Sequence, residues 1–269
     1  MGIQFGCETY TWLMSGDKYV DRLDHILSIA AQAGFTGVEP TTHFLGSVDD
    51  PAKYADMLKT HHMQMSAVCL VEDWLHPKET QTEWENAEKC IAFTKHFPGA
   101  LFALCQMPAS DRENLKERQE NLLTCVNTIS RRATDQGLTC TYHPNSPEGS
   151  IYRTAEDYDI LMDGLDSSVT GWTPDVGHIA NGQMDPLETI KKYRQLVNHV
   201  HYKDMSDPEK WEPMGVGTID FKGITSYLRE IGYEGWIIME DECKQAEEDP
   251  DGMTLKDGVY LKEKLLPLV

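Results

Sequence analysis

Eight short apolar runs, each followed by an amphipathic segment, succeed one another along 269 residues with no long polar linker between them. The runs are "IQFGCE", "GVEPTT", "MSAVCLV", "ALFALCQ", "LTCTYH", "VTGWTPD", "HVHYKD" and "GWIIMED". In "DKYVDRLDHILSIAAQAG", Tyr19, Leu23, Ile26, Ile29 and Ala30 recur at the three-to-four spacing of one helix face. "TQTEWENAEKCIAFTKHF", "DRENLKERQENLLTCVNTISRRATDQG" and "DFKGITSYLREIGY" repeat the pattern. Strict strand–helix alternation predicts an α/β fold, a parallel (β/α)8 TIM barrel, with residues 1–269 forming one domain. A doubly wound open sheet is the alternative. It usually carries a Gly-rich phosphate loop after its first strand, and none follows "IQFGCE".

Composition narrows the function classes. A formal charge of −20 argues against nucleic acid and anionic membranes, since phosphate backbones reward Lys and Arg. No apolar run is long enough to span a membrane, which takes about 18 residues or more. The start "MGIQFGCETY" lacks a basic segment followed by an apolar one, so a signal peptide is not expected. Seven cysteines without CxxC spacing, mostly inside strand-like runs, read as reduced thiols of a cytoplasmic protein. The expected partner is a small molecule, and assembly into a homo-oligomer stays open.

In a barrel of this kind the carboxyl ends of the strands meet at one face, and that face carries the chemistry. The fifth run ends on His143 and Asn145, the sixth on Asp175 and His178. The seventh carries His199, His201, Lys203 and Asp204, and the eighth Glu240 and Glu242. Each has a plain reading by itself, as a strand-end histidine satisfying a carbonyl or an Asp capping a helix. Alternation in "HVHYKD" puts His199, His201 and Lys203 on one face of their strand. Four successive strand ends thus bring imidazoles and carboxylates to one half of the mouth. This mixed N/O donor set, free of thiolate, suits Mn2+, Fe2+, Co2+ or Zn2+ better than Ca2+. Such an ion can hold a ketone and a neighbouring hydroxyl and stabilise the enediolate between them.

The stretches "TPDVGHIANGQMDP", "HVHYKD" and "GVGTIDFKGITSYLREIGYEGWIIMEDE" resemble the second half of the xylose-isomerase-like barrel superfamily of sugar isomerases and epimerases. With "YHPNSPEGSIYRTAEDYDILMD" added, the chain is most similar to the inosose dehydratases of that superfamily. The resemblance implies metal ligands at Asp175, His201 and Glu240, a substrate-contacting His178, and Lys203 placed to meet an oxygen or a developing negative charge. In "AGFTGVEP", Glu39 ends the second run as acidic residues often do there. The fourth ligand position, on the fifth strand, holds His143 where the isomerases and epimerases carry Glu. The implied cofactor is a divalent metal, Mn2+ first, with Co2+, Zn2+ or Mg2+ as alternatives. The implied substrate is a carbohydrate or polyol.

His143 bears on the reaction. Inverting a carbon needs bases on both of its faces, and the carboxylate of one side is missing. A β-elimination needs one base for the α-proton and one acid for the departing hydroxyl. The expected activity is therefore that of a metal-dependent lyase removing water from a keto-polyol such as 2-keto-myo-inositol. Glu240, a metal-bound hydroxide or Glu148, five residues past His143, are the candidate bases, and His178 is the candidate acid. The alternatives are a sugar isomerase or epimerase with Glu148 as second base, and elimination from a 3-keto-glycoside. A binding subunit without catalysis is the remaining class, opposed by the full set Asp175, His201 and Glu240.

Overall fold

The computed structural model describes residues 2–45, 50–208 and 210–269. Eight strands form the centre: β1 (Gln4–Glu8), β2 (Gly37–Glu39), β3 (Ala67–Glu72), β4 (Leu101–Gln106), β5 (Thr139–His143), β6 (Thr170–Trp172), β7 (Val200–Tyr202) and β8 (Trp236–Met239). The helices that return the chain are α1 (Leu23–Ala33), α2 (Pro51–Thr60), α3 (Gln81–Thr94), α4 (Leu115–Asp135), α5 (Ala155–Gly164), α6 (Pro186–Lys192), α7 (Phe221–Glu230) and α8 (Pro250–Tyr260). Every apolar run named above contributes one strand, and the TIM barrel expected from their alternation is present.

Two parallel ladders make up the barrel wall. One runs β2–β1–β8–β7 and the other β3–β4–β5–β6. They meet at two seams held by isolated bridges, Thr41 to Cys69 between β2 and β3, and Trp172 to Val197 and Asp175 to His201 between β6 and β7. A proline stands at each seam. Pro40 accepts from Cys69 N at 3.3 Å, and Pro174 accepts from His201 N at 2.9 Å, while neither has an N–H to return. The ladder thins there for want of a donor, and the second of these seams carries part of the site.

The wall is lined differently on its two sides. Inside sit Ala67, Cys69, Leu101, Ala103, Trp236 and Ile238 as a small separate cluster. The Trp236 indole fills the floor because Gly37 leaves room for it, since a Cβ there would lie 2.4 Å from the ring. Outside, strand residues such as Val200 and Tyr202 join the helix faces in the main core.

Several helix starts share one local device. Asp50, Asp185 and Asp249 each accept from the backbone N–H three residues on, at 3.1, 2.9 and 3.1 Å, and each is followed by a proline. The side chain satisfies a donor that the first helical turn leaves unpaired, worth about 1 kcal/mol, while proline supplies the helical φ at no cost in hydrogen bonds. α3 and α5 instead open with reciprocal capping pairs, Thr80 with Glu83 and Thr154 with Asp157. Among the described residues no helix is long and apolar enough to cross a membrane.

Candidate active site at the carboxyl ends of the strands

A cavity of about 330 Å3 opens at the carboxyl ends of the strands, lined on one side by Leu13, Val71, Met107 and Pro108 and on the other by charged groups. Along and behind its charged wall stand residues from six strand ends. Glu8 and Glu39 are the last residues of β1 and β2 and face each other in register. His143 ends β5, Asp175 follows β6, His201 lies in β7, and Glu240 immediately follows β8. All six are buried.

Asp175 uses its two oxygens differently. Oδ1 accepts the backbone N–H of His178 at 2.8 Å and so caps the short helix Val176–Asn181. Oδ2 lies 3.4 Å from His143 Nε2 and 3.3 Å from Lys203 Nζ. Burial opposes the charge on this carboxylate, and Lys203 outweighs it, holding the acid well below the usual range. Gly177 lies inside this helix, where a Cβ would come within 2.8 Å of the Lys203 carbonyl oxygen, so its smallness lets the helix press against the strand end.

The alternation in "HVHYKD" is realised, with His199, His201 and Lys203 all turned inward. His199 and His201 both donate from Nε2 to Glu39 Oε2, at 2.6 and 3.1 Å. The opposite nitrogen of His201, Nδ1, stands 3.6 Å from Glu8 Oε2 and 3.6 Å from Glu240 Oε2, and has no hydrogen-bond partner. Burial works against a charged His201 ring, and Glu39 and Glu240 overcome it, carrying the group up to about 10. For His143, burial is outweighed by hydrogen bonds with Asp175 and with Cys105, whose Sγ lies 3.5 Å from Nδ1, and the group rises to about 9.

Lys203 is fully buried, a costly position for an ammonium unless carboxylates surround it. Its Nζ lies 3.2 Å from Glu240 Oε1 and 2.6 Å from Glu242 Oε1. It also donates to His178 Nε2 at 3.1 Å, and Ser146 Oγ sits 2.8 Å from His178 Nδ1. Burial and the Lys203 charge together push His178 down to about 3, so its ring is neutral at pH 7. Trp211 closes this side, with Lys203 Nζ 5.3 Å from its ring centroid and the His178 ring 5.5 Å away edge-on.

Of the residues read from sequence, His143, Asp175, His178, His201, Lys203 and Glu240 come together here. Glu148 does not join them. It is exposed on the loop after β5. Two participants were missed. Glu8 closes "IQFGCE" as Glu39 closes "GVE", a parallel visible in the sequence once both runs are taken as strands. Cys105 reads from sequence as one more apolar strand residue.

The donor set fits a divalent cation. Glu39–His199–His201, His143–Asp175–His201 and Glu8–His201–Glu240 each bring their donor atoms within 4.8 Å of one another. Five carboxyl groups gather here against one ammonium, with Asp175, Glu240 and Glu242 at Lys203 and Glu8 and Glu39 at His201, and burial with the Glu240 charge pushes Glu8 well above the usual carboxylate range. A buried cluster of this sign, with an orphaned imidazole nitrogen at its centre, has the chemistry of a metal centre.

The family model of the xylose isomerase-like TIM barrel matches residues 27–263. The chain is 32% identical over 276 aligned residues to an inosose dehydratase of Clostridium botulinum (strain Alaska E43 / Type E3), covering 90% of this chain and 89% of that one. The crystal structure of apo 3-keto-D-glucoside 4-epimerase, YcjR, from E. coli matches with a TM-score of 0.76 at 15% identity, over 97% of this chain and 99% of that one. A structure of the IOLI protein with a bound zinc atom matches with a TM-score of 0.74 at 16% identity, over 99% of both chains. At such identities the two structures speak for the fold alone. The chain belongs to the xylose isomerase-like TIM barrel family.

Proposed function

We propose that this chain is a metal-dependent dehydratase that removes water from a keto-polyol, with 2-keto-myo-inositol as the leading substrate. The relatives over most of its length are inosose dehydratases, and an enzyme of the dehydratase or isomerase/epimerase kind is what such relatives and this fold have in common. The observation that carries the reading is the pairing of a buried His/Asp/Glu cluster with Lys203 and His178 at one wall of a small cavity. A volume at the lower end of the range for ligand pockets suits a single ring of carbon atoms.

In this reading His143, Asp175, His201 and Glu240 hold the ion. When bound, a divalent cation supplies a Lewis acid that stabilises negative charge on the ketone oxygen. Mn2+ is the proposed ion, because the set is rich in carboxylate oxygen and free of thiolate. Glu240 takes the proton from the carbon beside the ketone. Lys203 gives a proton to the hydroxyl leaving the next carbon, which departs as water. Glu242, 2.6 Å from the same nitrogen, restores that proton. His178 accepts from Lys203 and so aims the ammonium at the leaving group. The apolar side of the cavity excludes water from the ring face. Seven unpaired cysteines, six of them buried, fit the reducing environment of the cytoplasm.

The test is product identity. Metal-loaded protein incubated with 2-keto-myo-inositol should yield a product lighter by one water by mass spectrometry. An isomeric keto-polyol of unchanged mass would replace the dehydratase reading with that of an epimerase.

A further inference from the structure

His201 is the pivot of the charged wall, and its ring orientation is settled from below. Nε2 donates to Glu39 at 3.1 Å and so turns Nδ1 toward the cavity, where that nitrogen can serve an ion once its proton leaves. Two carboxylate oxygens approach that nitrogen equally, Glu240 Oε2 at 3.6 Å and Glu8 Oε2 at 3.6 Å. Neither approach is a hydrogen bond, for which the distance is too long, and Nδ1 is buried without any other partner. Three ligand-competent atoms from three neighbouring strands, β1, β8 and β7, therefore gather within 4.8 Å of one another.

Two carboxyl groups pressed against one buried imidazole form a site where a divalent charge can replace the protons that otherwise hold them together. Lys203 is not the positive partner of Glu8. Its Nζ is spent on Asp175, Glu240, Glu242 and His178. From this geometry we propose that Glu8 is a ligand of the same divalent ion as His201 and Glu240, so that β1 contributes a carboxylate to the centre. The inference rests on the metal-centre reading above and adds to it a residue that no motif in the second half of the chain supplies. It also bears on the choice of ion. With Glu8, Asp175 and Glu240 as oxygen donors beside imidazole, the set moves toward the harder ions Mn2+ and Mg2+ and away from Zn2+.

The alternative for Glu8 is a protonated carboxyl that donates to Glu240 and never touches the ion. Glutamine separates the two, because it copies a neutral hydrogen-bond donor and cannot serve as an anionic ligand. Metal-free parent and Glu8→Gln proteins are titrated with Mn2+ by calorimetry. Unfolding of the metal-free forms is followed alongside as a control on the fold. The expected result is a fall of more than about 100-fold in Mn2+ affinity for Glu8→Gln, beyond what losing an outer partner of a ligand costs. The metal-free variant should unfold at the parent's temperature, since glutamine matches glutamate in size and can still hydrogen-bond Glu240. Glu8→Asp, which keeps the charge on a shorter arm, should bind more tightly than Glu8→Gln. It also stands in for Glu8→Gln should that variant fail to fold, with affinity equal to the parent's then counting against the ligand role. Parent-like affinity of Glu8→Gln would overturn the inference while leaving the metal centre intact. A parent protein that binds no Mn2+, Mg2+, Co2+ or Zn2+ would overturn the metal-centre reading itself.

Discussion

His201 and Glu39 are joined by a hydrogen bond of 3.1 Å from the imidazole Nε2 to a carboxylate oxygen that also accepts from His199 at 2.6 Å. That single oxygen holds Nε2 and leaves Nδ1 as the nitrogen free to face an ion. Glu39→Gln can point an NH2 group at Nε2 and invert the tautomer. It should weaken Mn2+ binding by about 10–100-fold, the cost of losing an outer partner that orients a ligand. Calorimetric titration checks this, and unchanged affinity would mean that the ring is aimed by something else.

Asp175 joins two roles that different substitutions separate. Asparagine is as good a helix cap as aspartate, so Asp175→Asn should keep the hydrogen bond to His178 N while losing the anionic donor. Asp175→Ala loses both. Both variants should fail to retain metal, and the metal-free Ala protein should be less stable than the Asn protein by about 1 kcal/mol in chemical denaturation. Equal stabilities would show that the cap contributes nothing.

His143 sits between Asp175 and the Cys105 thiol, at 3.4 and 3.5 Å. If it serves the centre, His143→Ala should abolish turnover and leave thermal unfolding of the metal-free protein nearly unchanged. A large loss of metal-free stability together with residual turnover would assign it to packing.

Gly177 is a test of close approach. A methyl group there meets the Lys203 carbonyl oxygen at 2.8 Å and its Cβ at 2.9 Å. Gly177→Ala should cost about 1–3 kcal/mol, as overpacking of a tight contact does, and should lower kcat by displacing Lys203. Wild-type stability and kcat would mean that the helix shifts freely against the strand end.

Much of this architecture was legible in the chain because burial writes itself into composition. "GWIIMED" and "HVHYKD" are apolar where the strand faces the helices and polar where it faces the mouth. Residues that act at strand ends could be read once the strands were in place. What could not be read was spatial closure. Glu8 lies 232 residues from Glu240, and only the pairing of β1 with β8 makes them neighbours. The tetrapeptide around Gly177 was ambiguous for a different reason, since glycine serves turns and close contacts alike. The charge state of His178 was also hidden. Nothing near it in sequence announces the burial and the Lys203 ammonium 3.1 Å away that together keep its ring neutral, which is why the proposed mechanism takes the proton for the leaving hydroxyl from Lys203 rather than from the imidazole.

The proposed reaction breaks a C–H bond beside a ketone and then expels the neighbouring hydroxyl. Incubation of Mn2+-loaded protein with 2-keto-myo-inositol in D2O, followed by NMR, reads both steps at once. The expected product of the parent enzyme is the enol of a 1,2-diketone, or the diketone to which it tautomerises. For His178→Asn, water loss should slow far more than exchange of the α-proton for deuterium, because exchange needs Glu240 and not the Lys203–His178 pair. Clean formation of an epimeric or isomeric keto-polyol carrying deuterium, with no dehydrated product, would contradict the proposed reaction.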